Sequence, residues 1–210
     1  MAFDDILTAA EMHYSGKVTA YGSSFKGVDW GSREGQNLRF EQLLKFIDVT
    51  KAPSINDYGC GYGALLDVLD QKGFRGAYCG YDISAAMIET AKAHHRSKGS
   101  RAFFTSDASA LRRFDYTLTS GVFNVKLDTP DDQWAAYLLH TLDKVANLSR
   151  KGFVFNALSA YTPAGQREGD LFYADPPFIF DYCMKRFAGG VSLSHDYALP
   201  DFTVFVRLNP

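Results

Sequence analysis

Apolar residues recur with two different periods along the chain, and their alternation predicts a sheet flanked by helices. Phe40, Leu43, Leu44 and Ile47 are spaced i, i+3, i+4 and i+7, which marks one face of an amphipathic helix. Short apolar runs follow it, separated by further helical patterns, the first of which predicts a helix over residues 64–71. The runs predicted as strands are residues 54–58, 77–81, 102–105, 116–119 and 152–158. Strands that alternate with helices predict a parallel sheet with right-handed crossovers.

The two ends of the chain depart from this alternation. After a predicted helix over 177–187, the β-rich runs 191–195 and 202–208 are joined by a short polar link without a helix. Two such runs must pair as an antiparallel hairpin. Residues 1–35 are rich in aromatic residues and glycine, and they predict a short helix and an irregular loop that cap the domain formed by 36–210. The fold class is α/β, a three-layer sandwich around a mostly parallel seven-stranded sheet with an antiparallel C-terminal hairpin.

Composition narrows the possible partners. The chain has 210 residues and a formal net charge of −2, which argues against nucleic acid as an obligatory partner because phosphate binding needs a concentrated basic face. Cys60, Cys79 and Cys183 form no C-x-x-C pair, so neither a zinc site nor a disulfide framework is expected. No apolar run is long enough for a membrane span. We expect a cytoplasmic monomer or homodimer.

The chemistry is concentrated in a glycine-rich segment between the first strand and its helix, residues 57–63 (DYGCGYG). Alternate glycines allow the backbone to turn sharply and to approach a ligand without a Cβ clash. The same segment also reads Gly59-x-Gly61-x-x-Ala64, which is a nicotinamide-dinucleotide fingerprint. The loop alone therefore leaves its ligand open.

Three carboxylates distinguish between the possible ligands. Asp57 and Asp82 close the first and second strands, and Asp107 follows the third. All three should project from the edge where open α/β sheets bind ligands. An acid beneath the loop would repel a pyrophosphate. S-adenosylmethionine carries a sulfonium cation, an ammonium and a ribose diol but no phosphate, so acidic side chains suit it.

With these motifs the sequence resembles the class I, Rossmann-like methyltransferase family over residues 36–208. The family motif D-x-G-x-G-x-G matches Asp57 to Gly63 at every signature position. The resemblance implies S-adenosylmethionine as the cofactor, with Asp82 on the ribose hydroxyls and Asp107 at the adenine edge. Arg39 is the candidate for the methionine carboxylate, and Arg33 is an equally available donor. The implied cofactor residues are Asp57, Gly59, Cys60, Gly61, Gly63, Asp82, Ile83, Asp107, Ala108, Ser120 and Arg39.

The candidates for catalysis lie outside these motifs. His13, Tyr14 and His195 are the candidate bases, whereas His94 and His95 are set aside because an imidazolium near a helix C-terminus complements the helix dipole. No clustered set of His, Asp and Glu is visible along the sequence, so no metal is expected. The acceptor is a small or medium-sized molecule, methylated on an oxygen, nitrogen or carbon atom that the sequence leaves open.

Two alternatives and one misleading motif accompany this prediction. A non-catalytic S-adenosylmethionine-binding protein would share the same cofactor site, and a nicotinamide-dependent oxidoreductase would use the same loop. Residues 175–178 (DPPF) resemble a motif of amino-group methyltransferases that act on nucleobases or glutamine. In that family the motif follows the fourth strand, whereas here it follows the fifth, where proline at the start of a helix explains it.

Overall fold

A seven-stranded mixed sheet forms the centre of the fold, in the order β3-β2-β1-β4-β5-β7-β6. The structure, a computed structural model, describes residues 3–187 and 189–208. Strands β1 to β5 pair in parallel, and β7 runs antiparallel to both β5 and β6. The strands are β1 (Ile55–Tyr58), β2 (Tyr78–Tyr81), β3 (Ala102–Thr105), β4 (Phe114–Thr119), β5 (Ser149–Leu158), β6 (Val191–Ser194) and β7 (Asp201–Arg207).

Within the described residues, six α-helices cover the two faces and one edge of this sheet, and side-chain caps begin several of them. Ser32 accepts a hydrogen bond from the Gly35 amide, and Ser84 accepts one from the Met87 amide. Asp175 caps its helix in the same way, with proline in the first turn. The helices are α1 (Asp4–Tyr21), α2 (Arg33–Leu44), α3 (Ala64–Gln71), α4 (Ala85–His94), α5 (Asp131–Asn147) and α6 (Pro176–Arg186).

Two apolar clusters, one on each face of the sheet, hold the three layers together. Helices α2, α3 and α4 pack on one face, and α5 and α6 pack on the other. Strand β5 supplies both clusters, with Val154 on the first face and Phe153 and Phe155 on the second. Because both sides of this strand are buried there, residues 153–155 are apolar without interruption, as the sequence predicts for a central strand.

The predicted architecture is confirmed, including the antiparallel pair at the C-terminal end. The bounds of β3 and α3 agree with the prediction to the residue, whereas β4 and β5 begin two and three residues earlier than predicted. The largest difference is α1, which spans 18 residues where a short helix was expected. Only Ile6 and Val18 of this helix are buried, so its sequence carries little apolar periodicity to reveal its length.

The N-terminal segment lies across the C-terminal edge of the sheet. Helix α1 packs against α4, where the hydroxyls of Ser15 and Ser84 are 2.8 Å apart. The domain boundary at residue 36 stays a prediction, although α2 begins at Arg33, within the predicted cap. Within the described residues, no helix combines the length and the hydropathy that crossing a bilayer requires.

Candidate active site

A cavity of about 1100 Å³ opens at the C-terminal ends of β1, β2, β4 and β5, beneath α1. One wall of the cavity, here called the sheet wall, consists of the strand ends and residues 59–61 of the glycine loop 59–63. The opposite wall, here called the cap wall, consists of side chains from α1 and from residues 28–31. The predicted cofactor residues that line the cavity are Asp57, Gly59, Cys60, Gly61, Asp82, Ile83, Ser120 and Arg39.

The glycine loop has a backbone that other residues would strain. Gly59, Gly61 and Gly63 have φ angles of 83°, 53° and 85°, all in the left-handed region. A Cβ atom on Gly61 would lie 2.5 Å from the Val28 Cγ1 atom, and one on Gly59 would overlap the Val122 side chain. The loop is therefore closely packed against the side chains of Val28 and Val122. Glycine is required both for the left-handed φ angles and for the short distances to these side chains.

Asp82 is buried and holds the loop in place. Its carboxylate accepts hydrogen bonds from the Gly61 amide at 2.8 Å and from the Ser84 amide at 3.0 Å. Burial raises the pKa of Asp82 to about 6, although these two hydrogen bonds act in the opposite direction. Asp82 thus links the glycine loop to the start of α4.

Asp57 lies beside Asp82 at the floor of the cavity. The Tyr78 hydroxyl donates a hydrogen bond of 2.6 Å to its carboxylate. Burial raises the pKa of Asp57 to about 7, and the nearby charge of Asp82 acts in the same direction. No basic side chain of the described part of the chain acts on either carboxylate. Two buried acids without a cation make the cavity attractive to a positively charged ligand.

The third predicted acid is placed differently. Asp107 follows β3 as expected, but its carboxylate is exposed and accepts hydrogen bonds from the Ser109 amide at 2.8 Å and the Ser109 hydroxyl at 2.7 Å. Asp107, Ala108 and Gly63 are not part of the cavity lining. The structure thus brings Asp57 and Asp82 together, whereas Asp107 caps a turn, and its adenine-binding role stays a prediction.

Arg39 lines the cavity, but its guanidinium already has an acidic partner. Its Nε atom lies 2.9 Å from one Asp201 oxygen and its Nη2 atom 2.5 Å from the other. The same guanidinium lies 4.3 Å from the centroid of the Trp30 ring. Sequence reasoning missed Asp201, which is 162 residues away along the chain. The guanidinium was expected to be free, but it is already paired with Asp201, so its role toward a ligand carboxylate stays a prediction. The alternative donor, Arg33, is exposed and does not line the cavity.

The three candidate bases all line the cavity. His13 Nε2 lies 2.7 Å from Asp29 Oδ2, and the Lys17 ammonium lies 2.6 Å from the other Asp29 oxygen. Tyr14 is half-buried beside His13, and desolvation raises the pKa of its hydroxyl well above the usual value. His195 is exposed, with its ring stacked on Tyr161 at a centroid distance of 6.0 Å.

Asp29 is a residue of the cap wall that sequence reasoning missed. It has a left-handed φ of 61°, follows a short 3₁₀ turn, and accepts hydrogen bonds from two residues of α1. Those two residues, His13 and Lys17, are four positions apart and share one helix face. That spacing was the only available signal, and it could not identify their partner.

Fold and cavity together are the Rossmann-like architecture of class I methyltransferases, with a glycine loop above two acids and a reversed last strand. A family model described as a methyltransferase domain matches residues 57–151. The chain is 42% identical over 164 residues to a protein of Mycobacterium tuberculosis (strain ATCC 25618 / H37Rv) named "Putative methyltransferase Rv1506c". The matched segment covers 78% of this chain and 98% of that relative. The chain belongs to this methyltransferase family.

Solved structures share the fold at low sequence identity. Magnesium protoporphyrin IX methyltransferase from Synechocystis PCC 6803 with bound SAH (S-adenosylhomocysteine) has a TM-score of 0.69 at 17% identity, covering 98% of this chain and 100% of that one. Human N-acetylserotonin methyltransferase in complex with SAM (S-adenosylmethionine) has a TM-score of 0.68 at 15% identity. It covers 99% of this chain and 60% of that one. At these identities the likeness concerns the fold alone.

Proposed function

We propose that the protein transfers a methyl group from S-adenosylmethionine to a small or medium-sized acceptor bound between the glycine loop and α1. The observation that carries the proposal is the pair of buried acids, Asp57 and Asp82, which face the cavity without a cation. A ligand with a sulfonium and an ammonium supplies the missing positive charge. When bound, it supplies a methyl group already activated by the sulfonium.

The hydrogen bonding of the glycine loop favours this ligand over a dinucleotide. A pyrophosphate bound at such a loop needs free backbone N–H groups. Here the Gly61 amide already donates to Asp82 at 2.8 Å, and the carboxylate that occupies it would repel a phosphate. This arrangement argues against the nicotinamide-dependent oxidoreductase.

The residues of the sheet wall fit the nucleoside and amino-acid parts of the cofactor. The Asp82 carboxylate would accept hydrogen bonds from the ribose hydroxyls, and Ile83 would pack against the adenine. Asp57, Gly59 and Ser120 would surround the methionine portion, and all five residues line the same cavity. Glycine at positions 59 and 61 leaves room for the side chains of Val122 and Val28, with which a Cβ would collide.

The size of the cavity leaves space for an acceptor beside the cofactor. Its volume of about 1100 Å³ is above the range of roughly 300–1000 Å³ that is typical of a site for one small molecule. Beyond the glycine loop the lining is aromatic and polar, which suits an acceptor with a flat or apolar part and hydrogen-bonding groups. The residues of this part include Tyr14, Tyr161, Gln166, Glu168, Tyr173 and His195.

Among the candidate bases, the geometry favours His13. A carboxylate only accepts hydrogen bonds, so the Asp29 contact places a proton on His13 Nε2 and leaves Nδ1 of the neutral ring as a proton acceptor. Lys17 anchors Asp29 from its other oxygen, which fixes the orientation of the ring. The raised pKa of Tyr14 keeps its hydroxyl protonated, so Tyr14 acts as a hydrogen-bond donor. His13 would therefore take the proton of a hydroxyl acceptor.

Calorimetry with three ligands tests the proposal. S-adenosylmethionine and S-adenosylhomocysteine should both bind with one site per chain, and NADH should not bind. Gly61→Val should abolish binding of the first two, because the new side chain would collide with Val28 at a strained φ. Gly16→Val is the matched control, since a Cβ at Gly16 meets no atom within 4 Å. Binding of NADH alone would overturn the proposal.

Turnover separates the enzyme from a non-catalytic binding protein. The protein incubated with S-adenosylmethionine and a metabolite extract should release S-adenosylhomocysteine and yield a product heavier by one CH₂ group, both detected by mass spectrometry. Binding without release of S-adenosylhomocysteine in any extract would favour the non-catalytic alternative.

A further inference from the structure

A second cluster of ligand-type side chains lies behind the glycine loop, away from the cavity lining. Asp67 on α3 meets His94 and His95 at the end of α4. His94 Nε2 is 2.8 Å from one Asp67 oxygen, and His95 Nδ1 is 3.8 Å from the other. One ligand atom from each residue lies within 4.8 Å of the other two. Sequence reasoning missed this cluster because 27 residues separate Asp67 from His94.

The hydrogen bonding of His95 leaves one ring nitrogen unsatisfied. Its Nε2 atom lies 2.9 Å from the Gly63 carbonyl oxygen, which only accepts hydrogen bonds, so Nε2 carries the proton. In the neutral ring Nδ1 then presents a lone pair. The His95 side chain is 1% exposed, and Nδ1 has no hydrogen-bond partner among the described residues. A buried acceptor without a donor costs free energy.

The atom that faces this nitrogen makes the arrangement more unfavourable. Asp67 Oδ1, 3.8 Å from His95 Nδ1, is also an acceptor without a proton to donate. Two lone-pair atoms thus face each other at the edge of the cluster. A cation between them would satisfy both. The Nε2–H bond to a backbone carbonyl is also the arrangement that orients most metal-binding histidines.

We propose that Asp67, His94 and His95 bind a divalent transition-metal ion of the zinc class through one carboxylate oxygen, Nε2 and Nδ1 respectively. On binding, the proton that His94 Nε2 donates to Asp67 moves through solvent to His94 Nδ1, which leaves the Nε2 lone pair for the ion. Two imidazoles and a carboxylate are a ligand set that suits zinc, and solvent would complete the coordination. His94 and Asp67 are partly exposed, which gives the ion a route from solvent. The His95 ring is held in its orientation by stacking on Phe104 at a centroid distance of 5.4 Å.

The site adjoins the glycine loop through a single hydrogen bond. Gly63 is both the last glycine of the loop and the N-terminal cap of α3, and its carbonyl accepts the His95 proton. A metal ion on Nδ1 fixes the ring that makes this bond. The ion therefore stabilises the end of the loop and the helix that follows it, and it takes no part in methyl transfer.

Titration of the tag-free, chelator-treated protein with zinc chloride, without any cofactor, tests the proposal. The wild-type chain should bind one zinc ion and show a higher melting temperature with zinc. His94→Asn and Asp67→Asn should each weaken binding by at least ~10-fold and lose the rise in melting temperature. His140→Asn, which removes an exposed histidine on α5, should bind zinc as the wild type does. The three cysteines are buried and do not compete as ligands.

Two outcomes would overturn the proposal. One is the absence of saturable one-to-one zinc binding to the wild-type chain. The other is equal loss of binding in His140→Asn and His94→Asn, which would indicate general surface histidine binding. Because no S-adenosylmethionine is present, failure of this test leaves the proposed methyl transfer untouched.

Discussion

The two walls of the cavity are held by different kinds of interaction. The sheet wall is fixed mainly by the backbone: the amides of Gly59 and Cys60 both donate to the Tyr81 carbonyl, at 2.7 and 2.9 Å. The cap wall is held largely by side-chain contacts, such as the ion pair of Lys17 with Asp29 at 2.6 Å. A wall built from strand ends holds a ligand in a fixed place, whereas a wall built from side chains adapts to different partners. We infer that the sheet wall determines cofactor binding and the cap wall determines turnover and acceptor choice.

Removal of the proposed base should give the largest effect and should separate the two walls. His13→Gln is expected to lower kcat by ~10²–10⁴-fold for a hydroxyl acceptor, because general base catalysis contributes that much. The dissociation constant for S-adenosylmethionine should change by less than about 3-fold, which corresponds to ~0.7 kcal/mol of binding free energy. Asp29→Asn should also lower kcat. Single-turnover kinetics and calorimetry on the same preparations measure the two quantities.

The complementary variant lies on the sheet wall. Asp82→Asn should weaken S-adenosylmethionine binding by ~10–100-fold, since hydrogen bonds to a charged group contribute about 1.5–3 kcal/mol. At saturating cofactor, kcat should stay close to that of the wild type. If Asp82→Asn lowered kcat while leaving affinity intact, the division of labour between the two walls would be wrong.

The last expected effect concerns stability without a ligand, and it is the smallest when taken for a change of one pH unit. The pKa of Asp57 is about 7 in the folded protein against a reference value of 3.8, so the folded state retains a proton that the unfolded chain has lost. The free energy of unfolding should therefore fall by on the order of 1 kcal/mol per pH unit as pH rises from about 4 to 7, and this contribution should be constant above 7. Asp57→Asn should reduce that slope and leave the part below about pH 6 that the raised pKa of Asp82 contributes, because the amide does not ionise and its oxygen still accepts from Tyr78.

Chemical denaturation at several pH values measures this slope. Asp115→Asn is a suitable control on β4, since its carboxylate accepts from Ser54 and has a lowered pKa. The contribution of the Asp115 carboxylate to the free energy of unfolding is present above pH 4 and is lost as pH falls below that value. An unchanged slope in Asp57→Asn would mean that Asp57 is ionised in the folded protein, and that the cavity already compensates its charge.

The difference between the walls also explains how much the sequence could predict. The motif 57–63 and the alternation of apolar runs lie within short windows, and the structure agrees with them closely, to the residue for β3 and α3. Backbone geometry follows from local residue types, such as glycine at a φ of 53° in position 61. The residues of the sheet wall were therefore predictable, although three further predicted residues, Gly63, Asp107 and Ala108, lie outside the cavity lining.

The cap wall and the cluster behind the loop depend on contacts between distant residues. Arg39 and Asp201 are 162 residues apart, and Asp67 and His94 are 27 apart. A period of apolar residues does not report which polar side chains will meet after folding. Helix α1 is an extreme case, because it buries few residues and its length follows from contacts with α4 and with residues 26–28.

A crystal structure of the protein with S-adenosylhomocysteine would show where the cofactor lies. The ribose hydroxyls should lie within hydrogen-bond distance of the Asp82 carboxylate, the amino-acid portion beside Gly59 and Asp57, and His13 across the cavity from the sulfur. A ligand bound outside this cavity, or turned so that its ribose faces α1, would contradict this arrangement.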